Sequence, residues 1–163
     1  KSTTALTCLE GSLQFAGDDY CMLSLDEKPC GHSLYSSGKI HAANARWFPQ
    51  LQSALHACND PESGKALFFF HPRYKDHLAC SLQIKAILIP HVSKDTGSWF
   101  RPAAPPQALL ALAPSTLFQL PGTEQTALKR MGELVRSIPC FHFEAGRDLT
   151  TIPKAIASLL DEL

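Results

Sequence analysis

Two short apolar runs, Ala66-Leu67-Phe68-Phe69-Phe70 and Ala86-Ile87-Leu88-Ile89, constrain the fold more than any other part of this sequence. The first is too short for a helix and rich in aromatic residues. The second closes a segment that starts at Leu82, so both read as strands. His71-Pro72 ends the first and Pro90 the second. Strands this apolar are usually covered on both faces, which predicts a sheet sandwiched between helices. At 163 residues the chain makes one domain, and a domain of that size buries roughly 70% of the surface its unfolded chain exposes. Its stability therefore needs no disulfide or metal staple.

The remaining elements follow from periodicity and punctuation. Ala5, Leu6 and Leu9 share a helix face over residues 2–10, with Gly11 placed as the stop. Leu13-Gln14-Phe15-Ala16 reads as a short strand turning at Gly17, and Tyr20 to Leu25 is a second apolar run. Ser33 to Lys39 is a hydroxyl-rich loop or strand end. Trp47, Phe48, Leu51, Leu55 and Cys58 predict a helix ending near Asn59-Asp60-Pro61, with Pro49 in its first turn. Pro61 to Gly64 is a loop. The pair Pro105-Pro106 interrupts regular structure, and Gln107 to Ala113 forms a short helix ahead of Pro114. A longer helix starts at the N-cap Thr123 and runs through Leu128, Met131, Leu134 and Val135. Ile138 to Phe143 is the last strand, and Ile152, Ala155, Ile156, Leu159, Leu160 and Leu163 form the apolar face of a final helix.

Charge excludes some functions. With 15 basic and 15 acidic residues and no basic run longer than two residues, the chain lacks the clustered positive charge that follows a nucleic-acid backbone. No apolar stretch is long enough to cross a membrane and no leader pattern starts the chain, which predicts a cytoplasmic protein. The six cysteines are widely spaced and form no C-x-x-C pair, so they read as free thiols in a reducing compartment. The seven histidines are scattered. His56 and His142, each alone on its pattern, read as structural residues and not as metal ligands.

The chemistry-bearing stretch is the first twenty residues. Lys1-Ser2-Thr3 opens a helix, and Asp18-Asp19 follows the next strand. In a phosphate-binding loop the lysine spans the outer phosphates and the next hydroxyl ligates magnesium, positions that Lys1 and Ser2 fit. A nucleotide kinase also needs an acidic ligand for magnesium and, often, a carboxylate near the acceptor hydroxyl. Two adjacent carboxylates at a strand end point in opposite directions and can divide these tasks. Lys39, Lys65, Arg73, Arg101 and Arg147 are further candidate cations, and Lys39 follows the acidic pair on a loop that can lie on the acceptor side.

The order Lys1-Ser2-Thr3-Thr4-Ala5-Leu6 and then Gly17-Asp18-Asp19-Tyr20 resembles the HPr kinase and phosphoenolpyruvate carboxykinase-like group of P-loop proteins, in particular its bacterial HPr serine kinase-like members. The likeness extends to residues 33–39, 108–116 and 138–149. It implies an α/β fold with a P-loop kinase-like mixed sheet flanked by helices, in a single nucleotide-binding domain whose N-terminal strand and glycine-rich loop would precede Lys1. It further implies ATP and Mg2+ as cofactors, with Lys1, Ser2 and Thr3 at the nucleotide and Ser2 and Asp19 at the metal. Asp18 and Lys1 are the implied catalytic residues, Asp18 as the base toward a hydroxyl. The two aspartates' roles can also be exchanged. The acidic, glycine-rich segment that HPr kinases proper carry after the acidic pair is not found, so the acceptor, a protein or a small molecule, is left open. Self-association into a homo-oligomer stays open too. A binding protein that keeps the fold without transferring phosphate is the alternative, and a carboxykinase is the weaker third reading.

Overall fold

The computed structural model describes residues 1–56, 64–117 and 122–163, which form a mixed α/β structure with three small sheets. The expected single sheet between helices is replaced by these separate sheets. The first contains β1 (Cys21–Ser24), β2 (Cys30–Ser33) and β5 (Ser81–Gln83), antiparallel in the order β1-β2-β5. The second pairs β3 (Ser37–His41) with β4 (Lys65–Phe69), also antiparallel. In the third, β8 (Cys140–Ala145) lies between β6 (Ile87–Val92), to which it is parallel, and β7 (Trp99–Pro102), to which it is antiparallel. Helices α1 (Ser2–Glu10), α2 (Pro105–Thr116), α3 (Glu124–Ser137) and α4 (Thr151–Glu162) complete the fold. No helix among the described residues is long and apolar enough to cross a membrane.

Two cores hold these elements. One gathers Leu6 and Leu9 of α1, Phe15, Ile40 of β3, Phe48, Leu51, and Ala66, Phe68 and Phe70 along β4 and its end. The other packs Ile87 and Ile89 of β6 and Cys140 of β8 against Ala108 of α2 and Leu134 and Val135 of α3. Helix α1 seats closely on two neighbours. A Cβ on Gly38 of β3 would come 2.8 Å from Leu6 Cδ2, and one on Gly11 would come 2.6 Å from Pro153 Cβ of α4. The glycine at the end of α1 thus serves close approach; the left-handed residue there is Ser12, at φ 68°.

Several sequence expectations are corrected. Leu13 to Ala16 is not a ladder-forming strand: Phe15 makes a single parallel bridge to Leu78, donating its N–H to His77 O at 2.8 Å and accepting from Ala79 N at 2.9 Å. The helix expected around Trp47 to Cys58 is two 3-10 segments, Ala42–Trp47 and Gln50–Ala54. Pro49 explains the break, because its ring disfavours helical backbone at the residue before it, and Phe48 is non-helical at φ −119° and ψ 70°. Leu55 then bridges Phe68; Cys58 and the expected helix end lie outside the described residues. Strand β4 is covered on one face only, since Ala66, Phe68 and Phe70 are buried while Phe69 is 47% exposed. The segment from Leu82 splits into β5 and β6, and β6 runs through Pro90. A proline is tolerated there because β6 is an edge strand. Pro105 and Pro106 start α2 instead of interrupting structure, at positions whose N–H groups have no partner within a helix.

Cysteine chemistry follows from this packing. Cys8 lies on α1 beside the core, and burial pushes its thiol up to about 11, whereas Cys80 is exposed. Only the thiolate attacks an alkylating agent. Brief iodoacetamide treatment of the folded protein at neutral pH, read by peptide mass spectrometry, is expected to modify Cys80 and spare Cys8 until denaturant is added. Equal rates at the two positions would contradict the burial of α1.

Candidate functional site

The acidic pair opens onto a cleft of about 240 Å³ lined by Asp18, Asp19, Tyr20, Tyr35, Ser37, Gly38 and Lys39. Local packing builds it. Phe15 is pinned in the core by its bridge to Leu78 and by an edge-on contact with Phe70, their ring centroids 5.1 Å apart. The chain therefore emerges from the core at Ala16 and turns at Gly17. Strand β3 forms the facing wall, with Ile40 buried behind it and the exposed Lys39 side chain turned to the cleft side.

Asp18 is fixed by one contact. Its Oδ2 accepts a hydrogen bond from the backbone N–H of Lys39 at 3.0 Å. Its other oxygen, Oδ1, is shut off from solvent and has no protein partner. A buried carboxylate oxygen without a donor is costly, on the order of 1–3 kcal/mol, and such an atom marks a place where a proton, a hydroxyl or a cation would be held. Asp19 is exposed at the same cleft. The two neighbours thus have unlike surroundings, as two carboxylates with different tasks would.

The basic half of the predicted site lies elsewhere. Lys1 is the N-cap of α1, Ser2 its first residue and Thr3 its second; none of the three lines the cleft. Helix α1 nevertheless backs onto the cleft wall, because Leu6 meets Gly38. Its first turn lies only about 6 Å along the helix axis from Leu6. The unpaired N–H groups of that turn are a suitable place for an anion. Ala5 already donates to Lys1 O at 3.0 Å, so the turn is regular.

Of the other candidate cations, only Lys39 reaches the cleft. Arg73 donates to Ser53 O, and Arg101 pairs with Glu144 at 3.5 Å. Lys65 sits at the start of β4, opposite His41, and Arg147 is exposed beyond β8. Tyr20 belongs to the acidic motif, whereas Tyr35, Ser37 and Gly38 are cleft residues that the motif did not single out. The hydroxyl-rich composition of residues 33–39 was their only signal. Among the described residues, no group of three or more histidine, cysteine, aspartate or glutamate side chains is gathered for a metal ion. Comparison with family models, with curated proteins and with solved structures finds no match to this chain.

Proposed function

We propose that this protein is a cytoplasmic ATP-dependent kinase of the HPr kinase-like group, transferring a phosphoryl group to a hydroxyl, a serine being the acceptor that the family resemblance favours. The observation that carries the reading is the state of Asp18: one oxygen is clamped by Lys39 N–H, and the other is buried and unpartnered in a cleft that also holds Asp19. A general base must be held in place and must keep one oxygen available for the proton it accepts. For ATP and Mg2+ the support at the carboxylates is the exposed Asp19 in the cleft. At the phosphate end it rests on the N-terminus of α1.

In this reading Lys1, Ser2 and Thr3 would hold the nucleotide phosphates, Ser2 and Asp19 would hold Mg2+, and Asp18 would take the hydroxyl proton. Bound ATP with its metal supplies the phosphoryl group and offsets its charge. Lys39 steadies the base through its backbone, so its side chain is free to face the acceptor. Tyr20 and Tyr35, both largely exposed, line the same cleft.

One observation favours a second reading, a nucleotide-binding regulatory protein without transfer: Lys1, Ser2 and Thr3 are not among the residues lining the cleft. Incubation with γ-labelled ATP and Mg2+ in the presence of an acceptor extract separates the two. A kinase labels an acceptor, and Lys1→Ala abolishes the label. A binder retains ATP in a titration yet labels nothing, and full transfer by Lys1→Ala would overturn the assignment of Lys1.

A further inference from the structure

The register of the second sheet decides which backbone groups of β3 face the cleft. Phe70 N–H donates to Ser36 O at 3.0 Å just before β3, and Ala42 N–H donates to Gly64 O at 3.0 Å just after it. In an antiparallel pair the bonded residues alternate, so between these two bonds Gly38 and Ile40 bond their partners Phe68 and Ala66. Ser37, Lys39 and His41 therefore turn their N–H and C=O groups away from β4.

Two contacts agree with this alternation. Leu67, the partner of Lys39, turns its carbonyl outward on the far edge of β4 and accepts from His56 N–H at 2.8 Å. Lys39 N–H, on the edge of β3, meets Asp18 Oδ2. The cleft thus runs along the outer edge of β3, and Asp18 holds one position on it. Ser37 N–H, Ser37 O and Lys39 O have no protein partner among the described residues.

An open strand edge is recognised by the backbone of an extended chain, which adds itself as a further strand. Ser37 and Lys39 are two residues apart, about 7 Å along the strand. A chain paired at Ser37 therefore brings its next side chains to Asp18, whose second oxygen lacks a partner. Asp18 occupies the following donor, so the added strand ends at that carboxylate. Two carboxylates stand against one lysine in the cleft, which disfavours acidic residues in the docked chain. Tyr35, 61% exposed at the same cleft, offers its ring to a neighbouring side chain.

We propose that the outer edge of β3 docks an extended peptide segment of a partner protein by main-chain pairing at Ser37, and that this segment presents a serine hydroxyl to Asp18. The identity of the presented group rests on the kinase reading; the docking does not. A small-molecule hydroxyl would make no use of the outward groups of Ser37, so the edge favours a peptide acceptor.

The test uses a library of blocked nonapeptides with serine at the centre and no proline elsewhere, passed over the immobilised full chain without nucleotide. Retained peptides should lack acidic residues beside the serine, and adding them should shift the Ser37 amide NMR signal and slow its hydrogen exchange. Ser37→Pro removes the outward N–H but no ladder bond, a change an edge strand tolerates, and should weaken binding about 10–100-fold. Ser37→Ala keeps the N–H and should bind as the unchanged protein does. A second measurement needs no variant: N-methylation of alternate amides in a retained peptide should abolish binding in one register and spare it in the other. Retention of no peptide, equal binding by Ser37→Pro, or an equal effect of both N-methyl registers would overturn the proposal. So would a dimer that Ser37→Pro disrupts in the absence of peptide binding, since a second copy would then occupy the edge. The kinase reading is judged separately, with γ-labelled ATP and Mg2+. A retained peptide that stays unlabelled supports the docking and counts against transfer, whereas labelling of another acceptor with no peptide retained counts against the docking alone.

Discussion

Phe70→Ala should destabilise the fold by about 3–5 kcal/mol, the usual cost of emptying a fully buried phenylalanine site. Phe70 has no exposed surface. Its ring meets Phe15 edge-on at 5.1 Å and Tyr74 at 6.2 Å, and lies roughly parallel to Phe68 at 6.4 Å. It also fills the space beside Gly38, where an added Cβ would come 3.1 Å from Phe70 Cζ. No small shift of one neighbour closes such a void, because the surrounding groups come from α1, β3, the Phe15 bridge and Tyr74. A loss of this size is a large part of the roughly 5–15 kcal/mol by which domains are stable. Phe69→Ala is the control. Phe69 points outward, is 47% exposed and touches His56 edge-on, so its loss should cost less than half as much. Urea unfolding midpoints of the two variants check this, and equal shifts would contradict the one-sided burial of β4.

Phe70 also shows why part of the fold was legible in the sequence and part was not. Its run was readable as a strand because five apolar residues in a row leave little else. The run could not show that alternate residues face water, since Phe68, Phe69 and Phe70 look alike in sequence. Local punctuation misled in similar ways. Pro49 fits the first turn of a helix by rule, yet its effect on Phe48 divided the segment into two short turns. Pro90 reads as a strand end, and only the position of β6 at a sheet edge lets the strand continue through it.

The candidate site follows the same division. Gly17-Asp18-Asp19 was legible because turn residues and paired carboxylates are local signals. The clamp from Lys39 N–H, 21 residues away, depends on how β3 is placed and has no local signature.

Asp18→Asn should lower phosphoryl transfer by about 10²–10⁴-fold, the range that a positioned general base contributes. The substitution keeps the shape of the side chain and an oxygen to accept the Lys39 N–H, so the cleft wall stays in register. What it removes is the negative charge and the lone pair at the buried Oδ1. In place of that oxygen the amide NH2 faces a site with no protein acceptor, so one unpartnered buried group replaces another. Transfer must be compared at a temperature where both proteins are folded. Nucleotide binding should be unchanged, because in this reading Asp18 touches neither phosphate nor metal. Asp19→Asn gives the opposite pattern: the residue is exposed, so stability holds, while Mg2+-dependent nucleotide binding weakens. If Asp18→Asn instead loses Mg2+-dependent binding and Asp19→Asn loses transfer alone, the two aspartates exchange roles. If Asp18→Asn transfers phosphate at the full rate, its buried oxygen is not the base, and the kinase reading loses the observation on which it stands.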